Sequence, residues 1–308
     1  VGNVMAFIQY SMQIIMSFLM ITAMSIMLPR ANVAALRINE VLTTEVSIKD
    51  PSEPVKPYDH VKGTVEFEHV SFAYPEAGEN VLTDISFKAE KGETVAVIGS
   101  TGSGKSTLVN LIPRFYDVTE GSVKVDGIDV RDMTQKEVRS KLGYVPQKGI
   151  LFSGTIDSNI RYGKTDISAD EVKEAAEVAQ ATEFIDTKPQ GYESPIAQGG
   201  TNVSGGQKQR LSIARAIAKK PEIFIFDDSF SALDFKTDST LRKALKKHTK
   251  DATTIIVAQR ISTILNADKI IVLDDGHMAG IGSHKELMKN CEVYRQIAMS
   301  QLSEEELA

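Results

Sequence analysis

The sequence predicts an α/β fold, in which a mostly parallel sheet carries an antiparallel β subdomain and a helical subdomain and follows a transmembrane helix. Short apolar segments alternate with helical stretches in the second half of the chain, as is typical of parallel sheets. Upstream of them, residues 64–74 and 81–92 alternate apolar and polar side chains, as paired antiparallel strands do. The segments that predict parallel strands are VAVI (95–98), LGYVP (142–146), EIFIFD (222–227), TTIIVA (253–258) and KIIVLD (269–274).

The first 29 residues contain no charged side chain, unlike the rest of the 308-residue chain. The apolar run from Val4 to Leu28 exceeds the roughly 20 residues that cross a bilayer. Arg30 and Arg37 follow the run, and basic residues favour the cytoplasmic side. A secretory signal fits the run poorly, whereas a buried helix of a soluble protein stays as the alternative. Because the chain begins at Val1 rather than Met, we expect that the complete protein has further sequence upstream.

Composition divides the chain into four parts. Residues 1–42 are predicted to form the membrane helix and a helical cytoplasmic extension. Residues 43–63 are rich in proline and charge, which is typical of a linker. A folded domain follows over 64–300, and its segment from about 155 to 215 has helical periodicity with few strand signals. The acidic end, 301–308, is predicted to be a frayed tail.

A glycine-rich loop between a strand and a helix carries the strongest chemical signal. It reads GSTGSGKST and matches the template G-x-x-x-x-G-K-[ST]. In such a loop backbone N–H groups surround phosphates, while Lys105 neutralises the outer phosphates and the Ser106 hydroxyl ligates Mg²⁺. The loop therefore predicts ATP or GTP binding and a sheet of the P-loop NTPase type. The predicted nucleotide contacts are Gly99, Ser100, Thr101, Gly102, Ser103, Gly104, Lys105, Ser106 and Thr107.

Two further motifs lie downstream of the phosphate loop. The strand IFIFDD (223–228) ends in acidic residues and places Asp227 at the carboxyl edge of the sheet, where a carboxylate can hold Mg²⁺. The sequence SGGQ opens an amphipathic helix, and its small residues let the backbone approach a phosphate at the helix N-terminus. The SGGQ residues are Ser204, Gly205, Gly206 and Gln207.

Together these motifs resemble the nucleotide-binding domain of ATP-binding cassette (ABC) transporters over residues 64–300. The resemblance is to the exporters that fuse membrane and ATPase domains in one polypeptide, and it implies ATP and Mg²⁺ as cofactors. It further implies that Tyr74 stacks on adenine. Around Mg²⁺, it implies a set formed by Ser106, Gln147 and Asp227.

Two residues depart from the family pattern at positions of hydrolysis. The family usually has Glu after the Mg²⁺ aspartate, as the base that polarises the attacking water. Here Asp228 withdraws that carboxylate by about 1.5 Å. Gln259 stands where the family has a histidine at the γ-phosphate, and an amide carries neither the proton nor the charge of histidine. We therefore predict catalytic roles for Asp228, Gln259 and Lys105 in a degenerate site that binds ATP and hydrolyses it weakly.

A degenerate site resembles one half of the heterodimeric exporters, so the expected partner is a second half-transporter with Glu and His in place. Because the SGGQ signature is intact, hydrolysis is predicted mainly at the partner-based site. The family also implies a multi-pass protein of the cell membrane, with its nucleotide-binding domain in the cytoplasm. It implies contact with the lipid bilayer and a transported amphipathic drug or lipid. A competent homodimeric exporter and a regulatory ATP-binding module without transport stay as alternatives.

Charge and cysteine content argue against other classes of protein. A net charge of −6 is unfavourable for nucleic-acid binding. It therefore also argues against a soluble cassette ATPase of DNA repair or translation. Cys291 is the single cysteine, so the sequence holds neither a disulfide framework nor a thiolate metal site. We expect Cys291 to pack within a C-terminal helix.

Overall fold

The computed structural model describes residues 2–57, 61–75, 77–164 and 166–301. The chain forms two compact units that divide between Lys49 and Asp50. The acidic tail predicted beyond Gln301 lies outside the described residues, as does the part of the predicted linker at 58–60.

The first unit contains one long helix, α1 (Gly2–Thr43), which continues through Pro29. Its 42 residues extend over about 60 Å at ~1.5 Å per residue, roughly twice the hydrocarbon thickness of a bilayer. By length and composition this helix is able to cross a membrane, and none of its described residues is buried. Hydroxyl groups in the apolar run donate to carbonyls one turn earlier, so that they need no other partner in an apolar medium. These hydroxyl groups belong to Ser11, Ser17, Thr22 and Ser25.

The second unit is built on a six-stranded main sheet with the order β12-β11-β3-β10-β9-β6. All its neighbouring strands pair in parallel except β11 and β12. A four-stranded antiparallel sheet has the order β2-β1-β4-β5, and β7 pairs with β8. The strands are β1 (Val65–Phe72), β2 (Leu82–Ala89), β3 (Thr94–Gly99), β4 (Glu120–Val125), β5 (Ile128–Asp129), β6 (Leu142–Val145), β7 (Gly154–Thr155), β8 (Pro195–Ile196), β9 (Ile223–Asp227), β10 (Thr253–Val257), β11 (Lys269–Asp274) and β12 (His277–Gly282).

Ten helices of the second unit lie within the described ranges, and four of them belong to the segment with predicted helical periodicity. The helices are α2 (Lys105–Leu111), α3 (Gln135–Lys141), α4 (Ile156–Arg161), α5 (Ala169–Val178), α6 (Thr182–Asp186), α7 (Gly205–Ala218), α8 (Phe235–His248), α9 (Ile261–Ile264), α10 (His284–Asn290) and α11 (Glu292–Gln301). Helices α4 to α7 form the helical subdomain, together with β7, which precedes α4, and its partner β8, which lies between α6 and α7. Cys291 is buried, but it terminates α10 instead of lying within a helix, which corrects the prediction.

Three hydrophobic clusters make the core of the second unit. The first joins the antiparallel sheet and α2 to one face of the main sheet, through alternate strand residues such as Ile255 and Val257. On the other face, the second cluster packs α4 to α8 against β9, and the third packs α9 to α11 against β3 and β11. All three clusters consist of residues after Asp50, so the second unit buries a complete core of its own.

A buried ion pair connects the two sheets of the second unit. Asp126 is fully buried at a left-handed backbone position (φ 54°), and its carboxylate accepts from the Thr64 N–H at 3.0 Å and from Lys141 Nζ at 2.5 Å. Lys141 also contacts Glu222 at 3.2 Å. Burial by itself lowers the pKa of Lys141, but the hydrogen bond and charge of Asp126 outweigh it and raise that pKa.

We expect Asp126→Ala to destabilise the second unit by about 3 kcal/mol, because it leaves the buried Lys141 ammonium with one partner at the edge of the pocket. Chemical unfolding of residues 50–308, followed by circular dichroism, measures this loss. Lys88→Ala is the control, since Lys88 forms an exposed ion pair with Glu90 and should shift the midpoint far less. Equal shifts for the two variants would contradict the importance of the buried pair.

Candidate nucleotide-binding site

The phosphate loop lies between β3 and α2, and its glycines are required by geometry. A Cβ atom at Gly99 would lie 2.2 Å from the Leu273 carbonyl oxygen of the neighbouring strand. Gly102 and Gly104 have φ angles of 87° and 94°, which side chains rarely adopt. The buried Ser103 hydroxyl has no hydrogen-bond partner in the described part of the chain. These features form a backbone cradle that fits phosphate groups.

Lys105 and Ser106, the first residues of α2, point to functional groups of the same loop and of β9. Lys105 Nζ donates to the carbonyl oxygens of Gly99 at 2.8 Å and Ser100 at 2.6 Å. Burial lowers the pKa of Lys105, partly offset by the nearby acidic residues. Ser106 Oγ donates to Asp227 Oδ1 at 2.9 Å, and burial raises the pKa of Asp227. The structure thus brings together two of the three residues predicted to hold Mg²⁺.

Tyr74 lies beside the loop and is tied to its last residue. The Tyr74 hydroxyl lies 2.9 Å from Thr107 Oγ1. Its half-buried ring makes edge contacts with Phe72 and Tyr116, at centroid distances of 5.0 and 5.1 Å. Thr101, at the tip of the loop, is exposed. Tyr74 is therefore placed at the loop by two aromatic contacts and one hydrogen bond.

One carboxylate oxygen of Asp228 accepts hydrogen bonds from two other predicted site residues, one assigned to catalysis and one to Mg²⁺. Its Oδ2 accepts from Gln147 Nε2 at 3.1 Å and from Gln259 Nε2 at 2.8 Å. Asp228 is buried and has a left-handed backbone (φ 46°), and its N–H donates to the Val257 carbonyl at 3.0 Å. The structure places the Gln147 amide on Asp228, one residue beyond the Asp227 carboxylate with which the resemblance groups it.

The SGGQ signature forms the N-terminus of α7. Ser204 Oγ accepts from the Gln207 N–H at 3.3 Å, and the Gln207 side chain accepts from the Ser204 N–H at 3.1 Å. Gly205 borders open space, and a Cβ atom at Gly206 would lie 3.5 Å from the Ala232 carbonyl. Within the described residues no hydrogen bond joins the signature to the phosphate loop.

Gln301, at the end of α11, is a site residue that sequence reasoning misses. Its Oε1 accepts from the Ile261 N–H at 2.8 Å, and its Nε2 donates to the Gln259 carbonyl at 2.9 Å. The N-cap residue of α9, Arg260, offers no side-chain cap. Gln301 therefore fixes the backbone on both sides of Arg260, and with it the residue whose amide reaches Asp228.

A second missed residue, Gln209 on α7, fixes the segment after Gln147. Its side chain accepts from the Gly149 N–H at 3.0 Å and donates to the Pro146 carbonyl at 3.1 Å. Gln209 is buried. No local sequence signal distinguishes either glutamine from an exposed helix residue, because both act across long separations in the chain.

Comparisons with known proteins agree with the geometry of this site. Residues 82–231 match the family model described as ABC transporter. An uncharacterised ABC transporter ATP-binding protein of Mycobacterium tuberculosis is 48% identical over 304 residues, which are 98% of this chain and 52% of that protein. A Bacillus subtilis protein, named provisionally as a multidrug export ATP-binding/permease protein, is 42% identical over 96% of this chain and 51% of its own length.

A solved structure described as a bacterial Atm1-family ABC exporter with ATP bound is similar to this one. The TM-score is 0.83 at 36% identity, over 90% of this chain and 48% of that chain. The chain thus spans about half the length of the relatives it matches. These matches confirm the predicted fold class and family resemblance. With the apolar length of α1, they also confirm the predicted membrane location and cytoplasmic nucleotide-binding domain.

We expect Gln301→Ala to speed hydrogen exchange of the Ile261 amide roughly fivefold, the effect of losing one hydrogen bond of about 1 kcal/mol. Gln301→Glu keeps the acceptor for Ile261 and should preserve most of the protection. Gln296→Ala is the control, since Gln296 bonds only Glu292 on its own helix among the described residues. Unchanged exchange at Ile261 in Gln301→Ala would contradict the positioning role.

Proposed function

Because this chain belongs to the ABC transporter family, as its family match and its relatives show, we propose that it works as one subunit of a two-subunit exporter. It is the ATP-binding part of an ABC exporter. The proposed partner is a second half-transporter with a competent hydrolytic site. ATP binding at both sites closes the pair of nucleotide-binding domains, and hydrolysis at the partner-based site reopens them.

The residues of the phosphate loop fit ATP and Mg²⁺. The Gly102–Gly104 backbone surrounds phosphate, and Lys105 supplies the positive charge opposite the outer phosphates. Ser106 and Asp227 lie in contact and would hold Mg²⁺, which when bound neutralises charge on the phosphates. Gln147 bonds Asp228, the residue after Asp227, and is proposed as the third residue around the same ion. Tyr74 would stack on adenine from its anchored place beside Thr107.

The observation that carries the degenerate-site proposal is the environment of Asp228. Its carboxylate is one methylene shorter than the family's Glu, and its Oδ2 already accepts two amide hydrogen bonds. A general base must reach the proton of the attacking water, and a misplacement of ~1 Å costs on the order of 10²-fold in rate. The amide of Gln259 cannot carry a proton as the histidine of the family can. Binding groups are therefore kept while hydrolytic groups are weakened.

The signature supports the two-subunit arrangement. Family resemblance pairs each signature with the phosphate loop of the opposing subunit. Here the α7 N-terminus has a complete capping box, and Gly205 borders open space that a phosphate of the partner's ATP would enter. The transported molecule is proposed to be an amphipathic drug or lipid, in line with the relative named for multidrug export. We further propose that α1 contacts the lipid bilayer. No nucleic-acid partner is proposed.

We expect the chain alone, in nanodiscs, to hydrolyse ATP slowly, and Asp228→Glu with Gln259→His to raise kcat on the order of 10²-fold. ATP affinity should change little, because the phosphate loop is untouched. Lys105→Ala is the control that loses ATP binding. Steady-state phosphate release and equilibrium ATP binding separate the two effects.

Brisk hydrolysis by the unaltered chain, with no gain from Asp228→Glu, would instead support a competent homodimeric exporter. Co-purification with a half-transporter that carries Glu and His should restore ATP turnover without any substitution. If such a partner binds but neither turnover nor transport appears, the regulatory-module alternative is favoured.

A further inference from the structure

One face of the main sheet is incompletely covered where the second and third hydrophobic clusters meet. Helix α8 covers that face over β9, whereas α9 to α11 cover it over β3 and β11. Ile256 of the central strand β10 contacts both clusters and is still only half-buried. A cavity of about 450 Å³ fills this seam, within the range of sites for drug-sized ligands, roughly 300–1,000 Å³. We call it the seam cavity.

The seam cavity combines an apolar floor with a cationic rim. Phe226 and Ile256 form the floor. Three lysines line the opening, on α8 and just after it, and all are exposed. In the described ranges of the chain, none of their ammonium groups takes part in an ion pair or a hydrogen bond. They are Lys243, Lys246 and Lys250. This concentration of free positive charge contrasts with the net charge of −6 of the whole chain.

The other charged groups of the lining leave this rim positive. Arg242 is neutralised by a bidentate pair with Asp238, at 2.9 Å for each contact. Asp268 contributes one carboxylate, and its Oδ2 accepts from the Thr94 N–H at 2.8 Å. The three lysines therefore outnumber the single acidic residue of the described lining.

Thr254 provides a buried polar group inside the cavity. Its residue is 6% exposed and lines the seam cavity, on the same face of β10 as Ile256. Its hydroxyl has no hydrogen-bond partner in the part of the chain that the structure describes. The hydroxyl of the neighbouring Thr253, on the opposite face, lies within hydrogen-bond distance of two backbone carbonyls and accepts from the Gly92 N–H. Because the Thr254 hydroxyl has no protein partner in that described part and the residue lines the cavity, Thr254 is able to hydrogen-bond a bound ligand.

We propose that the seam cavity is a binding site for an amphipathic organic monoanion with a single apolar chain, such as a medium-chain carboxylate. The apolar chain lies on Phe226 and Ile256, and the anionic head lies at the lysine rim. Rim charge favours an anion over an alcohol or a cation of the same chain length. The site is separate from the phosphate loop and does not depend on the proposed transport function.

The seam cavity lies directly behind the nucleotide site. Phe230 and Thr263 line it, and the same two residues line a smaller cavity that contains Asp228 and Gln259. A ligand in the seam cavity therefore packs against the back of the loop that follows β9, without reaching the nucleotide side.

Calorimetric titration of the chain in phosphatidylcholine nanodiscs, against matched empty nanodiscs, tests this site with decanoate below its micellar concentration. Decanol and decyltrimethylammonium are the probes that match its chain length. We expect saturable decanoate binding that is at least about tenfold tighter than that of the other two. Lys246→Glu should weaken decanoate binding about tenfold, while Lys247→Glu should change it less than about twofold. Lys247 is exposed next to Lys246 but does not line the cavity.

Further variants test where decanoate binds. Lys105→Ala should leave decanoate binding unchanged, which excludes the phosphate loop as the place of binding and makes the outcome independent of ATP. Ile256→Phe should abolish binding by filling the floor; if it fails to fold, Thr254→Val is expected to weaken decanoate about threefold in its place. Equal binding of decanoate and decanol, equal effects of Lys246→Glu and Lys247→Glu, or no saturable binding would each overturn the proposal.

Discussion

The parallel pairing of β3, β10 and β9 is the constraint on which the rest of the site depends. Val97, Val257 and Asp227 lie opposite one another across the three strands. Because the carboxyl ends of parallel strands meet at one edge, the phosphate loop, Asp228 and Gln259 open on the same side. A slip of one residue would turn the following side chains to the other face. The contact of Gln259 with Asp228 therefore depends first on the register of the strands that precede the two residues.

The parts of the site that can be predicted from sequence are those with a local physical requirement. The phosphate loop needs glycine where Gly99 meets the Leu273 carbonyl, and the acid after an apolar strand marks the sheet edge. Strand β12 is not predictable in this way, since HMAGIG is an edge strand with two glycines and weak propensity. The role of Gln301 is not predictable for another reason. Its partners lie about 40 residues away in the chain, and sequence periodicity gives no information on contacts at that separation.

The proposed separation of ATP binding from hydrolysis depends on different kinds of group. The phosphate cradle is made of backbone, so its shape follows from β3, α2 and the glycines between them. Hydrolysis depends on the ends of side chains, where one methylene in Asp228 or one amide in Gln259 changes position or charge and leaves the fold intact. The two amide hydrogen bonds to Asp228 oppose movement of its carboxylate away from Gln147 and Gln259. A weak catalytic site in an intact binding site is therefore a physically consistent state.

The division of the core into three clusters bears on how the site can move. Helix α2 is anchored in the first cluster, which is continuous from the antiparallel sheet to the main sheet. The buried residues of helix α8 belong only to the second cluster. On the side of α8 that borders the seam cavity at Ile256, the helix has fewer apolar contacts. Elements with fewer buried contacts open at lower free energy. Asp234 caps α8 at the end of the loop 229–234 that follows Asp228, so motion of α8 would be transmitted first to that loop. The phosphate loop, by contrast, precedes α2, which is anchored in the first cluster.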